Sequence, residues 1–539
     1  MEEATTFRAG SQCGTGTVVL SFKAAHYYSY FSYGIKKEVI KKPKEAPLFY
    51  TSFTIVVALL LILFVAVERG LFPGINVPWG QLLGANTNAE IVKGQLKLAP
   101  GYRLQLFSDD VPNARFMEVT RRGAVLVAQP KLGQVSLLQP DQDGDGAADD
   151  QRVLINGLTR PHSLALFEDW LYIAESNGVG RVPFDHSDGR LAGSYQRIVN
   201  DLGDDGNHWT KTIAMGPDGW MYLSSGSTCN VCEETDPQRA TIMRFRPDGS
   251  NLEIYATGLR NSVGFDWSPK DGALYATDNG RDWLGNNFPP CELNRIEQGE
   301  FYGWPYANGN RVPDPDFGVD APPEVQQKIA NSKVPVFRFR AHNAPLGIQF
   351  LRSQEQPAYY HEAALVALHG SWNRDKKDGY KVISLHWDER GDIIAHDFLW
   401  GFLDPETDTV YGRPAAIAED IRGNIYISDD YAGAIYRVQP GESAQDATVA
   451  TPRFNGPKKP LAIDRNAARQ GEKIYRQRNC VRCHRYLPLR DLSRKYTLKQ
   501  LADTFDTPTP PMPNYGFSNS QKRDLAHYLM QREIEGAGQ

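Results

Sequence analysis

Six stretches of this chain repeat one theme, and that repetition restricts its fold more than any other feature. In each, a run of β-forming apolar residues ends in a Pro/Asp/Gly turn and a second apolar, aromatic run follows. They fall at 119–128, 164–174, 214–223, 267–276, 364–368 and 418–427, with Ala214-Met-Gly-Pro-Asp-Gly-Trp-Met-Tyr-Leu223 among the clearest. Most are spaced by about fifty residues, the period of propeller blades, and helical periodicity is hard to find between 95 and 440. The expectation is an all-β six-bladed β-propeller over residues 95–440, with a pair of β-sandwiches as the alternative. The 25 Tyr, 24 Phe, 48 Gly and 35 Pro suit turn-rich β structure. At 539 residues the chain exceeds one ordinary core, and a net charge of −5 gives no reason to expect nucleic acid as a partner.

The N-terminal end reads differently. Residues 1–47 close on a basic cluster, Lys36, Lys37, Lys41, Lys42 and Lys44, and residues 48–67 carry no charge. About twenty apolar residues cross a hydrocarbon core, so 48–67 is expected to be a transmembrane helix. A cleaved signal peptide is the weaker reading, because no small-x-small site precedes Glu68-Arg69. Lysines before the span place residues 1–47 in the cytoplasm. The expected location is the inner membrane, single-pass, with all later domains in the periplasm.

Residues 441–462, with Pro452, Pro457 and Pro460, read as a linker. Beyond them the pattern becomes helical. Asp464 can cap a helix carrying Ala467, Ala468, Gly471, Ile474 and Tyr475; Thr497 can cap a second through Leu498 and Leu501; Ser520 can cap a third with Leu525, Tyr528 and Leu529. Between the first two lies Cys480-Val-Arg-Cys483-His484. Such a run holds a haem by two thioethers and supplies an axial imidazole. Structural zinc would need further ligands, and no second Cys/His pair is nearby. Met512, in a Pro-rich loop before the last helix, is the expected second axial ligand. Residues 463–539 are thus expected to form a small all-α cytochrome c domain carrying haem c. Cys229 and Cys232, followed by Glu233 rather than His, are expected to form a short-loop disulfide, and Cys13 and Cys291 stay unpaired.

One further motif concerns metal. Asp141-Gln-Asp143-Gly-Asp145-Gly146 has alternating oxygen ligands with glycine sixth, as in the first half of a calcium loop. Position twelve is Arg152 rather than Glu. A structural calcium and a solvated turn both stay open.

Across 95–440 the chain resembles the quinoprotein sugar dehydrogenases that use pyrroloquinoline quinone (PQQ), especially the L-sorbosone dehydrogenase branch. The resemblance is carried by Asn207-His-Trp-Thr-Lys-Thr-Ile-Ala-Met-Gly-Pro-Asp-Gly219, Ser227-Thr-Cys-Asn-Val-Cys-Glu-Glu234, Thr257-Gly-Leu-Arg-Asn261 and Phe301-Tyr-Gly-Trp-Pro305. His342-Asn-Ala-Pro-Leu-Gly347, Leu368-His-Gly-Ser-Trp-Asn-Arg374 and Tyr411-Gly-Arg-Pro414 extend it in family order. It implies PQQ on one face of the propeller with calcium beside it. By the same resemblance His208 is the general base for the substrate hydroxyl, chemistry suited to an imidazole. Arg260 is the cation that stabilises developing charge on the cofactor. Asn207, Asn261, His162, His342, Trp372, Arg374 and Arg413 correspond to cofactor contacts, and the backbone carbonyls of Gly280 and Arg281 to calcium ligands. The glucose-oxidising branch has a lysine at Trp372 and an arginine at Tyr411, so the grip on the PQQ carboxylates differs here; Trp372 could stack on the ring instead.

The resulting expectation is a membrane-anchored periplasmic quinohaemoprotein. It oxidises a sugar or sugar-derived alcohol or aldehyde and passes electrons through haem c to an acceptor of the respiratory chain. The rivals are a calcium-dependent propeller lactonase and a non-enzymatic module that docks a redox partner for the cytochrome.

Overall fold

The computed structural model of the chain describes residues 74–77, 87–441, 463–478, 480, 492, 496–506, 508 and 515–536. The expected transmembrane helix at 48–67 and the linker at 441–462 lie almost wholly outside these residues. Among the described residues no helix is long and apolar enough to cross a membrane.

Six antiparallel sheets follow one another around a ring, giving a six-bladed β-propeller. From inner to outer strand, blade 1 is Met117–Val119, Val125–Gln129, Gln134–Leu138 and Gln151–Ile155. Blade 2 is Ser163–Phe167, Trp170–Glu175, Gly178–Asp185 and Gln196–Val199, and blade 3 is Lys211–Met215, Met221–Ser225, Thr241–Phe245 and Glu253–Thr257. Blade 4 is Phe265–Trp267, Leu274–Asp278, Cys291–Ile296 and Phe337–Phe339. Blade 5 is Pro345–Phe350, Ala364–Leu368, Lys381–Trp387 and Ile393–Trp400, extended by Lys97–Leu98. Blade 6 is Pro414–Glu419, Ile425–Asp429 and Ala434–Pro440, completed by Tyr102–Ser108 from the other end of the domain. Tyr102 pairs with Pro440 and Leu104 with Val438, so the ring is closed by backbone hydrogen bonds between its two ends.

The repeated theme in the sequence is the inner pair of strands with its turn; in blade 5 the recognised run is the second strand alone. These strands read as continuous apolar runs because both faces are covered. Successive side chains of a strand point to opposite faces. In blade 1, Val125 and Val127 pack with Phe107, Ala416 and Tyr426 of blade 6, while Leu126 and Ala128 pack with Leu164, Ile173 and Val182 of blade 2. The other four junctions are built alike: Tyr172 against Leu223, Tyr222 against Phe265, Tyr275 against Phe350, and Phe398 against Tyr436 lie in the respective interblade cores. Helical structure inside the propeller domain is limited to Pro323–Asn331 within an insertion of blade 4 and two short 3-10 turns.

Beyond the propeller, three helices are described: α1 (Arg465–Gln477), α2 (Leu498–Asp503) and α3 (Asn519–Gly536). The Asp464 carboxylate accepts from the amides of Asn466 and Ala467, and Thr497 forms a capping box with Gln500, as their positions predict. The third cap differs. Ser518 Oγ accepts from Gln521 N while Gln521 Oε1 accepts from Ser518 N, a reciprocal box that starts α3 ahead of Ser520. Gly471 lets α1 and α3 touch: a Cβ there would lie 2.0 Å from the Asp524 carbonyl oxygen. Tyr475, Leu501, Phe505, Leu525, Leu529 and Met530 form the core of this region. Of the expected haem ligands only Cys480 is described, its amide donating to Tyr475 O at 3.0 Å; Cys483, His484 and Met512 lie outside the described residues.

Candidate active site

In an antiparallel blade, the inner strand begins and the second strand ends on the same rim. His208 and Asn207 precede the inner strand of blade 3, Arg260 and Asn261 that of blade 4, His342 that of blade 5 and Arg413 that of blade 6. His162 immediately precedes the inner strand of blade 2. Trp372 and Arg374 lie in the crossing from the second to the third strand of blade 5, Gly280 and Arg281 in that of blade 4. Propeller topology therefore gathers on one rim residues scattered from 162 to 413.

The rim loops are held by acids that end second strands. Asp278 accepts from the amides of Arg260 (3.0 Å) and Asn261 (2.6 Å), and Asp429 from that of Arg413 (2.9 Å). Glu175 does the same for Thr159 in blade 2. Burial pushes Asp278 up to about 7 and Asp429 up to about 6, while the amides they accept from act the other way.

His208 donates Nδ1–H to Ser227, 3.0 Å to the carbonyl and 2.9 Å to Oγ. Its Nε2 has no hydrogen-bond partner among the described residues. Burial, then the charge of Arg260, lowers its pKa to about 3, so the imidazole is neutral and its lone pair sits on Nε2. The loop beneath is fixed by cations: Lys211 Nζ donates to the carbonyls of Gly203 and Trp209, and Arg239 Nη2 to those of Asp205 and His208. Burial lowers Lys211 to about 7. Asn261 meets His208 at Gly226, where an added Cβ would lie 2.6 Å from His208 Cβ and 2.8 Å from Asn261 Oδ1. Only glycine permits that approach.

Arg260 is 4% exposed. Nε donates to Asn230 O (2.9 Å), Nη1 to the carbonyls of Asn279 (3.1 Å) and Gly280 (3.0 Å), and Nη2 to Asn230 Oδ1 (2.8 Å) and Asp282 Oδ2 (3.4 Å). With all five donors engaged, Arg260 presents a fixed charge rather than an open N–H. The carbonyl of Gly280 is thus shared with a guanidinium, and the Arg281 side chain turns into a buried ion pair with Asp314 (2.7 Å).

A second cluster was not legible in sequence. Asp430 binds Arg115 Nη1 (2.8 Å) and His369 Nε2 (2.9 Å), and Arg115 Nη2 reaches His162 Nε2 (3.3 Å). Burial opposes ionisation of Asp430, but His369, Arg115 and Arg413 outweigh it and hold the carboxyl far below the usual range. Burial and Arg413 push His369 down to about 4. His162 is fully buried with Nδ1 on the Lys211 carbonyl (3.2 Å) and Nε2 on Arg115, so it orients Arg115 and has no ring nitrogen to spare for a cofactor. Arg115, Asp430 and His369 come together only through closure of blade 6 onto blade 1.

The remaining expected contacts are structural in part. His342 Nε2 lies 2.9 Å from Gly285 O, and Arg374 donates to Ala341 O (3.2 Å) and Asn286 O. Arg413 donates to the carbonyls of His369 (3.0 Å) and Gly370 (3.3 Å). Trp372, 37% exposed, meets Trp283, 55% exposed, edge to face with centroids 5.1 Å apart. Asn373 supports this pair by accepting from Trp283 N (2.8 Å). In the crossing from the second to the third strand of blade 3, on this same rim, the expected Cys229–Cys232 disulfide is formed, and Cys291, at the start of the third strand of blade 4, is buried and free. The carboxylates of Asp141, Asp143 and Asp149 approach one another, but Asp141 already binds Arg437 and the amides of Gly144 and Gly146; Asp145 accepts from Ala147 N.

A family model described as TrAA12-like matches residues 96–441. An uncharacterized protein of Borreliella burgdorferi is 38% identical over 222 residues, covering 40% of this chain and 56% of its own length. A pyrroloquinoline quinone-dependent pyranose dehydrogenase of Coprinopsis cinerea is 22% identical over 406 residues, covering 64% of this chain and 54% of its own. The chain therefore spans about half the length of the curated relatives it matches. The calcium structure of the Trichoderma reesei carbohydrate-active enzyme of family AA12 superposes with a TM-score of 0.55 at 22% identity, over 64% of this chain and 97% of that one, which is a likeness of fold.

Proposed function

The chain belongs to the TrAA12-like family, and from that premise we propose that it is a PQQ-dependent dehydrogenase of a sugar or a sugar-derived alcohol or aldehyde. The observation that carries this reading is the pairing of a neutral His208, its Nε2 unpartnered, with a buried, rigidly held Arg260 on one rim. The donor set suits an anionic planar ligand: Arg115, Arg260 and Arg413 supply positive charge, and Trp372 supplies an aromatic face. When bound there, PQQ supplies the two-electron acceptor for the oxidation.

The residues of the chain provide the rest. Ser227 fixes the tautomer of His208, so Nε2 accepts the proton of the substrate hydroxyl as it becomes a carbonyl. Burial, and after it the charge of Arg260, depresses that basicity. An anionic ligand against Arg260 offsets its charge and raises the affinity of His208 for the proton. Arg115, steadied by His162 and Asp430, and Arg413 are the groups to which we assign the ligand carboxylates. Calcium at the carbonyls of Gly280 and Arg281 would share the Gly280 oxygen with Arg260, and no step is assigned to it.

Onward electron transfer is assigned to haem c at Cys480, Cys483 and His484 with Met512, then to an acceptor of the respiratory chain. Residues 48–67 anchor the protein in the inner membrane with the propeller in the periplasm. The test is calorimetric titration of PQQ into cofactor-free protein, then a screen of aldoses, ketoaldehydes and polyols for PQQ-dependent dye reduction. Saturable binding with turnover of at least one class supports the reading; binding without any such turnover refutes it.

A further inference from the structure

The loop closed by the Cys229–Cys232 disulfide touches both groups of the proposed chemistry, yet that chemistry makes no use of sulfur. At its start, Ser227 receives His208 and passes its own Oγ–H to Cys229 O at 2.8 Å. At its centre is Asn230. Its carbonyl accepts Arg260 Nε at 2.9 Å and Trp304 Nε1 at 3.4 Å. Its Oδ1 accepts Arg260 Nη2 and the amide of Asp282, both at 2.8 Å, and its Nδ2 donates to Asp282 O at 3.2 Å. One residue therefore grips the Nε/Nη2 edge of a guanidinium at both donors, with its backbone carbonyl and its side chain, and ties in the loop bearing Asp282.

We propose that Asn230 is the positioning residue that sets the plane of Arg260, and that the Cys229–Cys232 disulfide serves to hold Asn230 in the conformation this requires. The catalytic meaning of the clamp rests on the role assigned to Arg260 in the proposed function; the clamp itself does not. Two acceptors on one residue converge on one planar group only if the backbone and χ angles of Asn230 are both fixed. A covalent ring across its neighbours removes the alternative loop conformations that would separate them. Glu234 closes the loop on the far side, accepting from the amide and hydroxyl of Thr228 at 2.6 and 2.9 Å. A displaced Arg260 would be a misplaced charge, and small displacements of such groups are costly in rate.

The experiment compares wild type with Asn230→Ala, Asn230→Asp and the double variant Cys229→Ser/Cys232→Ser. In cofactor-free protein, phenylglyoxal adducts at Arg260 and at Arg437 are quantified by peptide mass spectrometry. Arg437, buried and bound to Gln105 and Asp141, reports general loosening of the propeller. Asn230→Ala and the double Ser variant should label Arg260 about tenfold faster with Arg437 unchanged, and Asn230→Asp, which keeps both acceptors, should stay near wild type. Unchanged labelling of Arg260 in Asn230→Ala, or Arg437 rising in step, overturns the clamp. In PQQ-loaded protein the two disruptive variants should lower kcat about tenfold or more with KM little changed. If labelling follows the prediction but no PQQ-dependent turnover exists in wild type, the clamp stands and the proposed function falls.

Discussion

His208 and Ser227 form a fixed pair: Nδ1–H of the imidazole lies 2.9 Å from Ser227 Oγ, whose own hydrogen is committed to Cys229 O. The serine can therefore only accept, and the histidine can only present Nε2 as a base. His208→Gln should retain cofactor binding and lower kcat by about 10²–10⁴-fold, the usual worth of a positioned base. Retention of wild-type kcat would remove His208 from that role.

The depressed pKa of His208 makes a statement about pH. Its cofactor-free imidazole should titrate near the value of about 3 set by burial and Arg260, and an anionic ligand should move it upward. NMR of the His208 ring with and without PQQ measures both; a cofactor-free midpoint in the ordinary imidazole range contradicts the buried, Arg260-facing placement.

Stability should fall on mild acidification. His162 is held well below its ordinary value by burial, and His208 and His369 at about 3 and about 4, while the unfolded chain takes up these protons at about 6.5. Below that pH the unfolded state binds more protons, so stability is lost as pH drops from about 6.5 toward the folded values. Chemical denaturation at a series of pH values should show the loss, and His369→Gln should reduce its slope.

Removal of Asp430 should be costly. Asp430→Asn leaves Arg115 facing His369 and Arg413 without the anion between them, and breaking one partner of a buried pair costs about 3–5 kcal/mol. A thermal melt of the full chain reads it. Loss under about 1 kcal/mol would mean that the cluster is well solvated.

Trp283 is the most exposed aromatic of the rim, held at φ 73° by its loop and stacked edge to face on Trp372. We expect Trp283→Ala to raise KM for the sugar several-fold with kcat little changed, the mark of lost uniform binding. An equal fall in kcat and kcat/KM would place Trp283 in the transition-state interactions instead.

Gly471→Ala tests the helical region independently of any function. The added methyl would meet the Asp524 carbonyl at 2.0 Å and should cost about 1–3 kcal/mol locally. Hydrogen exchange in the full chain should rise in α1 and α3 and stay unchanged in the propeller.

Much of the fold is legible in the sequence because blade strands are buried on both faces. Runs such as 124–128 and 425–427 are then apolar without alternation and end in recognisable turns. The closing strand Tyr102–Ser108 carries no such mark, since its partner Ala434–Pro440 lies over three hundred residues away. The same distance hid Arg115 and Asp430: each is an ordinary charged residue beside a strand until the ring closes. Asn230 lies between two cysteines and belongs to no ligand or catalytic motif of its own. Ser520 has the sequence place of a cap before a helical run, but the Ser518/Gln521 pair satisfies that end reciprocally. His162 matched a family position, and only its full burial shows it supporting Arg115.

The central claim is that a proton leaves the substrate to His208 Nε2 on the rim where Arg260 is fixed. Its most direct test is pre-steady-state reduction of PQQ-loaded protein at saturating sugar, comparing wild type with His208→Gln and monitoring bound-cofactor absorbance. The account predicts that both proteins bind PQQ alike and that the reduction rate of the variant falls at least about a hundredfold. Equal reduction rates in the two proteins would contradict it.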